Sequence, residues 1–146
     1  MRAVIQRVKH ALVKVDSKIV GRINKGLLIF LGISKSDSQA QADYLVKKII
    51  ELRIFEDAQG KMNCSALEAK GEFLVVSQFT LLGDCSKGRR PSFDEAADPI
   101  LAEELYRYFL EKLKSYNVKV EAGIFKAMMD VELINDGPVT FVLESN

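Results

Sequence analysis

The hydrophobic and polar positions of this chain change period several times, and the changes mark its elements. Between Ala11 and Ile23 they alternate, with Ala11, Val13 and Val15 on one face and Leu12, Lys14 and Asp16 on the other. Asp16-Ser17-Lys18 supplies turn chemistry before Ile19-Val20, so the stretch predicts a hairpin. After Lys25-Gly26 the run from Leu27 to Ile33 is continuous, short and rich in branched residues, as in a strand covered on both faces. A helix follows. Asp37 or Ser38 can cap it, and Ala42, Leu45, Ile49 and Leu52, with Val46 and Ile50 beside them, repeat at helical spacing to about Arg53, leaving Lys47 and Lys48 on the wet face.

Glu56 to Gly60 reads as a turn, and the polar, weakly patterned segment from Lys61 to Gly71 as an ordered loop. Phe73 to Leu81 has the composition and length of a strand that ends at Gly83-Asp84, and a basic loop, Lys87-Gly88-Arg89-Arg90-Pro91, comes next. Asp98 and Pro99 are an N-cap and a first helical position; Leu101, Leu105, Tyr108, Phe109 and Leu113 then give a second helix its buried stripe to about Ser115. Past Val118 to Glu121, two final strands are expected. Met129, Val131 and Leu133 alternate in the first, and Val139, Phe141 and Leu143 in the second, after Asn135-Asp136-Gly137-Pro138. The expected fold class is α+β: mostly antiparallel β-sheets with two main helices, in one domain spanning residues 1–146, without repeat, linker or low-complexity tract.

Composition narrows the function classes. With 48% apolar and 28% charged residues the chain can bury a real core. Lys and Arg number 21 against 20 Asp and Glu, a net charge of +1, so no global basic field exists to coat nucleic acid, although a local patch is open. Two cysteines and one histidine are too few for a zinc cage or a disulfide framework, and no metal or cofactor is expected. The N-terminal segment is interrupted by charge every few residues, unlike a signal peptide, and is read as mature protein. Leu27 to Leu31, the longest apolar run, is far shorter than a bilayer span. Cytoplasmic residence is therefore the default expectation.

Most catalytic constellations are missing. His10 has no serine or cysteine motif near it, neither Cys64 nor Cys85 lies in a nucleophile motif, and no Gly-rich phosphate loop is present. Two segments stand out. Ser77-Gln78-Phe79-Thr80 sets three polar groups around an aromatic at the end of an apolar strand, which suits either a solvated face or a site where a ligand supplies the missing partners. In Asn135-Asp136-Gly137-Pro138-Val139-Thr140, Asp-Gly signals a hairpin turn, yet the proline removes an N–H from the returning strand, and its peptide bond is open to cis or trans.

These two segments resemble the two signature motifs of the D-aminoacyl-tRNA deacylases of bacterial and eukaryotic type. Gln6-Arg7-Val8, Gly60-Lys61-Met62-Asn63 and Arg90-Pro91-Ser92-Phe93 extend the resemblance along the chain. One segment departs from it: Phe125-Lys126-Ala127-Met128-Met129 has Lys126 where the family usually has Gly or Ala. The resemblance implies a homodimer with active sites at the subunit interface. It also implies hydrolysis of the ester joining a D-amino acid to the terminal adenosine of tRNA, and removal of glycine mischarged on alanine tRNA. In the family a cis Gly-Pro peptide, here Gly137 and Pro138, reaches into the partner's pocket and excludes an L side chain, which is discrimination by steric clash.

By the same resemblance the substrate's 2′-hydroxyl assists the chemistry, and backbone N–H groups of Phe79 and Thr80 stabilise the oxyanion. The Thr80 side chain is the rival, as a nucleophile without an evident base. Phe79 is implied as the platform for the terminal adenine, Ser77, Gln78 and Met129 as pocket residues, and Arg7, Lys87, Arg89 and Arg90 as tRNA phosphate contacts. The alternative to an enzyme is a non-enzymatic nucleic-acid-associated factor.

Overall fold

A computed structural model describes residues 1–145. In chain order its elements are β1 (Arg2–Val15), β2 (Lys18–Ile23), β3 (Gly26–Gly32), α1 (Gln39–Glu51), β4 (Phe55–Glu56), β5 (Met62–Cys64), β6 (Glu72–Ser77), α2 (Pro99–Lys114), β7 (Val120–Ala122) and β8 (Asp130–Glu144). The expected hairpin is present, turned by Asp16 and Ser17 at φ +48° and +63°, residue types that tolerate the left-handed region in a tight turn. It is only one end of a longer strand. The N-terminal half of β1 pairs antiparallel with β3, its C-terminal half with β2, and its whole other edge with β8.

Beyond β3 the sheet turns parallel: β3 pairs with β6, and β6 with β7. Parallel neighbours require crossovers, and α1 and α2 lie in them, between β3 and β6 and between β6 and β7. The α+β class with two main helices therefore holds, and most strand pairings are antiparallel as expected, the parallel pairs being those of β6.

The continuous apolar run explains itself once both faces are seen. Leu27, Ile29 and Leu31, with Phe73 and Val75 of β6, join Leu45, Ile49, Leu105 and Phe109 in the core beneath the helices. Leu28, Leu74 and Val76 pack on the opposite face with Val8, Ala11, Val13 and Ile23. Full burial contributes about 1.5–3 kcal/mol for each such aliphatic or aromatic side chain, so β3 and β6 are the least yielding parts of the fold.

Helix boundaries follow their caps. Ser38 and Gln41 form a capping box at α1, and the Asp98 carboxylate accepts the N–H groups of Ile100 and Leu101 at α2. The stripe of α2 includes Tyr106, which the spacing had not singled out; its hydroxyl donates to the Val75 carbonyl at 2.9 Å, and burial pushes its phenol well up.

Three expectations are corrected. Met62–Cys64, read as loop, pairs with Phe55–Glu56 in a ribbon too short to show a period. The strand expected to reach Leu81 stops at Ser77, and Phe79–Leu82 is a 3₁₀ turn. The two final strands are one strand, β8, both parts of which pair with β1 in the same direction, so Asn135 to Pro138 forms a bulge and does not reverse the chain.

Candidate active site

At the C-terminal ends of the parallel strands β3 and β6 the sheet opens into a cavity of about 390 Å³, the usual location for a site in a parallel arrangement and a usual size for one that takes a small ligand. Ser77, Gln78 and Phe79 form one side. The Gln78 N–H makes the last rung to the Leu31 carbonyl at 2.8 Å, after which β3 can no longer template the ladder and the chain curls. The curl needs Gly32. A Cβ there would stand 3.0 Å from both the Gln78 carbonyl oxygen and the Leu81 Cβ, so a side chain would displace the turn from the end of β3.

Within the turn the Leu81 N–H donates to the Gln78 carbonyl, leaving the N–H groups of Phe79 and Thr80 as the orphan donors at the start of a helical turn. The Gln78 amide donates to the Thr80 hydroxyl at 2.5 Å, which fixes both side chains. Phe79 is 58% exposed, and Phe93 meets its ring edge-on at 5.1 Å and 62°. That T-shaped pair holds an aromatic face at the cavity rim.

The opposite side is Phe125 to Met129. The Phe125 ring packs 5.8 Å from that of Tyr106, and the Ala127 N–H closes a turn on the Ile124 carbonyl at 3.2 Å. Met129 lines the cavity, and Met128 beside it is 91% exposed. Lys126, the position of departure, lines the cavity with φ +64°.

Gly137 and Pro138 are not brought to this cavity. They form the exposed tip of the β8 bulge, where Arg7 of β1 faces the stretch from Asp136 to Val139, and the Gly137–Pro138 peptide is cis. Both ends of the bulge are clamped. The Asn135 amide donates to the carbonyls of Arg7 at 3.1 Å and Val139 at 3.2 Å, and Val139 is buried.

Arg7 itself is only 5% exposed. Its Nε donates to the Asp136 carbonyl at 3.1 Å and lies 3.2 Å from Asp136 Oδ2, while Nη1 donates to the Ile54 carbonyl at 2.7 Å. The expected phosphate contact at Arg7 is therefore corrected: a guanidinium enclosed by the chain's own acceptors has no open face for tRNA, and the residue fastens the bulge instead. Nothing in the sequence marked Asp136, Asn135 or Ile54 as its partners, because the bulge that joins them is made by strand register.

The other three cations, Lys87, Arg89 and Arg90, are exposed and have no ion-pair partner among the described residues. Their loop is closed at its base by paired backbone bonds between Asp84 and Ser92, next to the Phe93 that supports Phe79. The Ser86 N–H donates to the Asp84 carboxylate at 2.8 Å and holds it below the usual carboxylate range. His10 lies exposed on β1 opposite Ile134, and neither it nor Cys64 nor Cys85 lines the cavity. The cavity thus offers an aromatic platform, neutral polar groups, one lysine and an orphan backbone donor at Phe79, chemistry suited to orienting a polar ligand and to stabilising negative charge on its oxygen.

Comparison with known proteins gives one consistent result. The family model described as D-Tyr-tRNA(Tyr) deacylase matches residues 4–144. The D-aminoacyl-tRNA deacylase of Thermosipho melanesiensis is 58% identical, covering 99% of this chain and 97% of the relative, and that of Desulfatibacillum aliphaticivorans is 60% identical, covering 99% of each. Among solved structures, the c-Myc DNA Unwinding Element Binding Protein superposes with TM-score 0.94 at 41% identity over 100% of this chain and 99% of that one. A probable eukaryotic D-amino acid tRNA deacylase superposes with TM-score 0.84 at 19% identity over 98% of each, a likeness of fold.

Proposed function

The chain belongs to the D-Tyr-tRNA(Tyr) deacylase family and is an enzyme of it, and from that premise we propose that its cavity hydrolyses the ester between a D-amino acid and the 3′-terminal adenosine of tRNA. One observation carries the reading: the consecutive N–H groups of Phe79 and Thr80 are orphan donors in the turn that ends β6, and Phe79, which lines the cavity, bears an exposed ring supported by Phe93. The adenine stacks on Phe79, a contact worth about 1–3 kcal/mol. Ser77, Gln78 and Met129 shape the pocket for the amino acid. Lys87, Arg89 and Arg90 hold phosphates of the acceptor end.

Water adds to the ester carbonyl, oriented by the neighbouring 2′-hydroxyl of the substrate. The carbonyl oxygen takes up negative charge and accepts from the Phe79 and Thr80 N–H groups. Collapse breaks the bond to the 3′ oxygen, which leaves with a proton, giving the free amino acid and tRNA with an intact terminal adenosine. Glycine mischarged on alanine tRNA is removed by the same steps.

Rejection of L-aminoacyl esters is assigned to Gly137–Pro138 of a second copy of the chain. The tip is exposed and lies outside its own cavity; Phe79 and Met128, which line that cavity, and Phe93, which packs on Phe79, are exposed apolar side chains, as at an interface. In this homodimer the tip enters the partner's cavity and fills the space an L side chain requires, while glycine passes. Its working place is the cytoplasm, where charged tRNA is used.

The mechanism is tested with two changes. Thr80→Ala retains deacylation within about tenfold, since its backbone donor remains, whereas tRNA ending in 2′-deoxyadenosine, charged on the 3′ oxygen, reacts at least about 100-fold more slowly. Single-turnover release of labelled D-tyrosine reads both. A Thr80→Ala protein that binds tRNA but releases nothing would instead make the threonine the nucleophile. The name of the 41%-identical solved structure raises a second reading, a DNA-associated factor without catalysis. The net charge of +1 weighs against it, and release of D-tyrosine by the wild-type chain decides.

A further inference from the structure

Lys126 is the one charged residue among those lining the cavity; its polar neighbours there, Ser77 and Gln78, are neutral. It is exposed, with no ion-pair partner among the described residues. Its backbone lies at φ +64°, a conformation that glycine adopts freely and a residue with a Cβ does not. The turn that presents it is anchored on both sides, by Phe125 against Tyr106 and by the Ala127 N–H on the Ile124 carbonyl. A position suited to glycine is thus filled by a long cation, delivered from a fixed turn to the wall of an otherwise uncharged cavity.

An ammonium in that setting attracts an anion. With a D-aminoacyl-adenosine end in the cavity, the amino acid brings its own ammonium, which Lys126 repels. The anion that every such substrate carries is the phosphodiester on the 5′ side of the terminal adenosine. We propose that Lys126 holds this phosphodiester and, as a positioning residue, draws the acceptor end onto Phe79. The inference rests on the deacylase reading above. It gives the cavity its own phosphate contact, on a different element from the loop of Lys87, Arg89 and Arg90.

The test compares wild type, Lys126→Gly and Lys126→Arg on D-Tyr-tRNA across a salt series, and on 3′-O-D-tyrosyl-adenosine, which has no phosphate. Lys126→Gly folds with an unfolding midpoint equal to or above that of wild type, because glycine fits the left-handed position. Its KM for D-Tyr-tRNA rises about fivefold at low salt with a smaller change in kcat, and its plot of log KM against log salt is shallower by about 0.7, one single-strand phosphate's share. Lys126→Arg restores both. On the phosphate-free nucleoside the Gly variant and wild type differ by less than about twofold.

Unchanged KM and salt slope in Lys126→Gly would overturn the proposal, as would a defect of equal size on the nucleoside. A defect confined to D-Asp-tRNA would overturn it too, by assigning the cation to an acidic amino-acid side chain. Wild-type protein inactive on both D-tyrosyl substrates contradicts the deacylase reading, whereas active wild type with an unaffected Gly variant contradicts only the role of Lys126.

Discussion

Replacing Arg7 by alanine lowers the stability of the chain by about 2–4 kcal/mol and weakens the rejection of L-aminoacyl-tRNA. The loss of stability follows from what the guanidinium leaves behind. The Ile54 and Asp136 carbonyls lose their donor, and the Asp136 carboxylate, half-buried beside Arg7, loses its counter-charge. Removing one partner of a fully buried pair costs about 3–5 kcal/mol, and the partial exposure of Asp136 reduces that figure. The functional loss follows from place: Arg7 ties β4's approach at Ile54 to the base of the bulge, so without it the tip loses a side-chain clamp and keeps the Asn135 amide, the burial of Val139 and the flanking ladder with β1. Lysine does not rescue, because an ammonium on a single stem does not reproduce a planar fork that meets two separate acceptors. Urea unfolding reads the first effect, and the ratio of D to L deacylation rates the second. An Arg7→Ala protein of wild-type stability and unchanged enantiomer ratio would show that the guanidinium fastens nothing.

Gly137→Ala is expected to reduce deacylation of D-Tyr-tRNA, or its preference over the L form, by at least about tenfold, a misplacement penalty at a site that works by close fit. A Cβ at this position would stand 2.5 Å from Asn135 Oδ1. That oxygen cannot swing aside freely, because the same amide donates through Nδ2 to the Arg7 and Val139 carbonyls, each bond worth about 0.5–1.5 kcal/mol net. The tip must move instead. Because it is exposed, its displacement costs little stability, and the unfolding midpoint stays near that of wild type, which separates this variant from Arg7→Ala. Full activity and unchanged rejection of L-aminoacyl-tRNA in Gly137→Ala would remove the role given to the tip.

The sequence revealed most where local chemistry decides the structure. Asp16-Ser17 turned a hairpin, Ser38 and Asp98 capped helices, and an unbroken apolar run became a strand buried on both faces, because each outcome depends on neighbours a few residues away. It misled where register decides. Phe73 to Leu81 reads as one strand because Phe-Thr-Leu-Leu is as compatible with a 3₁₀ turn as with a strand; only the end of β3 at Gly32 shows where the ladder stops. Asp-Gly reads as a reversal from its local turn chemistry, whereas the strand on both sides of it pairs with β1, which is distant in sequence, and runs on through a bulge.

The same limit applies to the site. Ser77, Gln78, Phe79 and Met129 line one cavity, and the first three are consecutive at the end of β6. Arg7 was expected among the tRNA phosphate contacts, and its burial depends on a bulge that no local pattern announces. Lys126 was visible as a departure, but its place on the cavity wall and its left-handed backbone belong to the fold.

The central claim is that this cavity hydrolyses D-aminoacyl esters of tRNA and excludes their L counterparts. The direct measurement is single-turnover release of tyrosine from D-Tyr-tRNA and from L-Tyr-tRNA by the same preparation, against the spontaneous rate of each. Release from the D form is expected at least about 100-fold above the spontaneous rate, and release from the L form at that rate. Equal acceleration of both forms, or of neither, would contradict it.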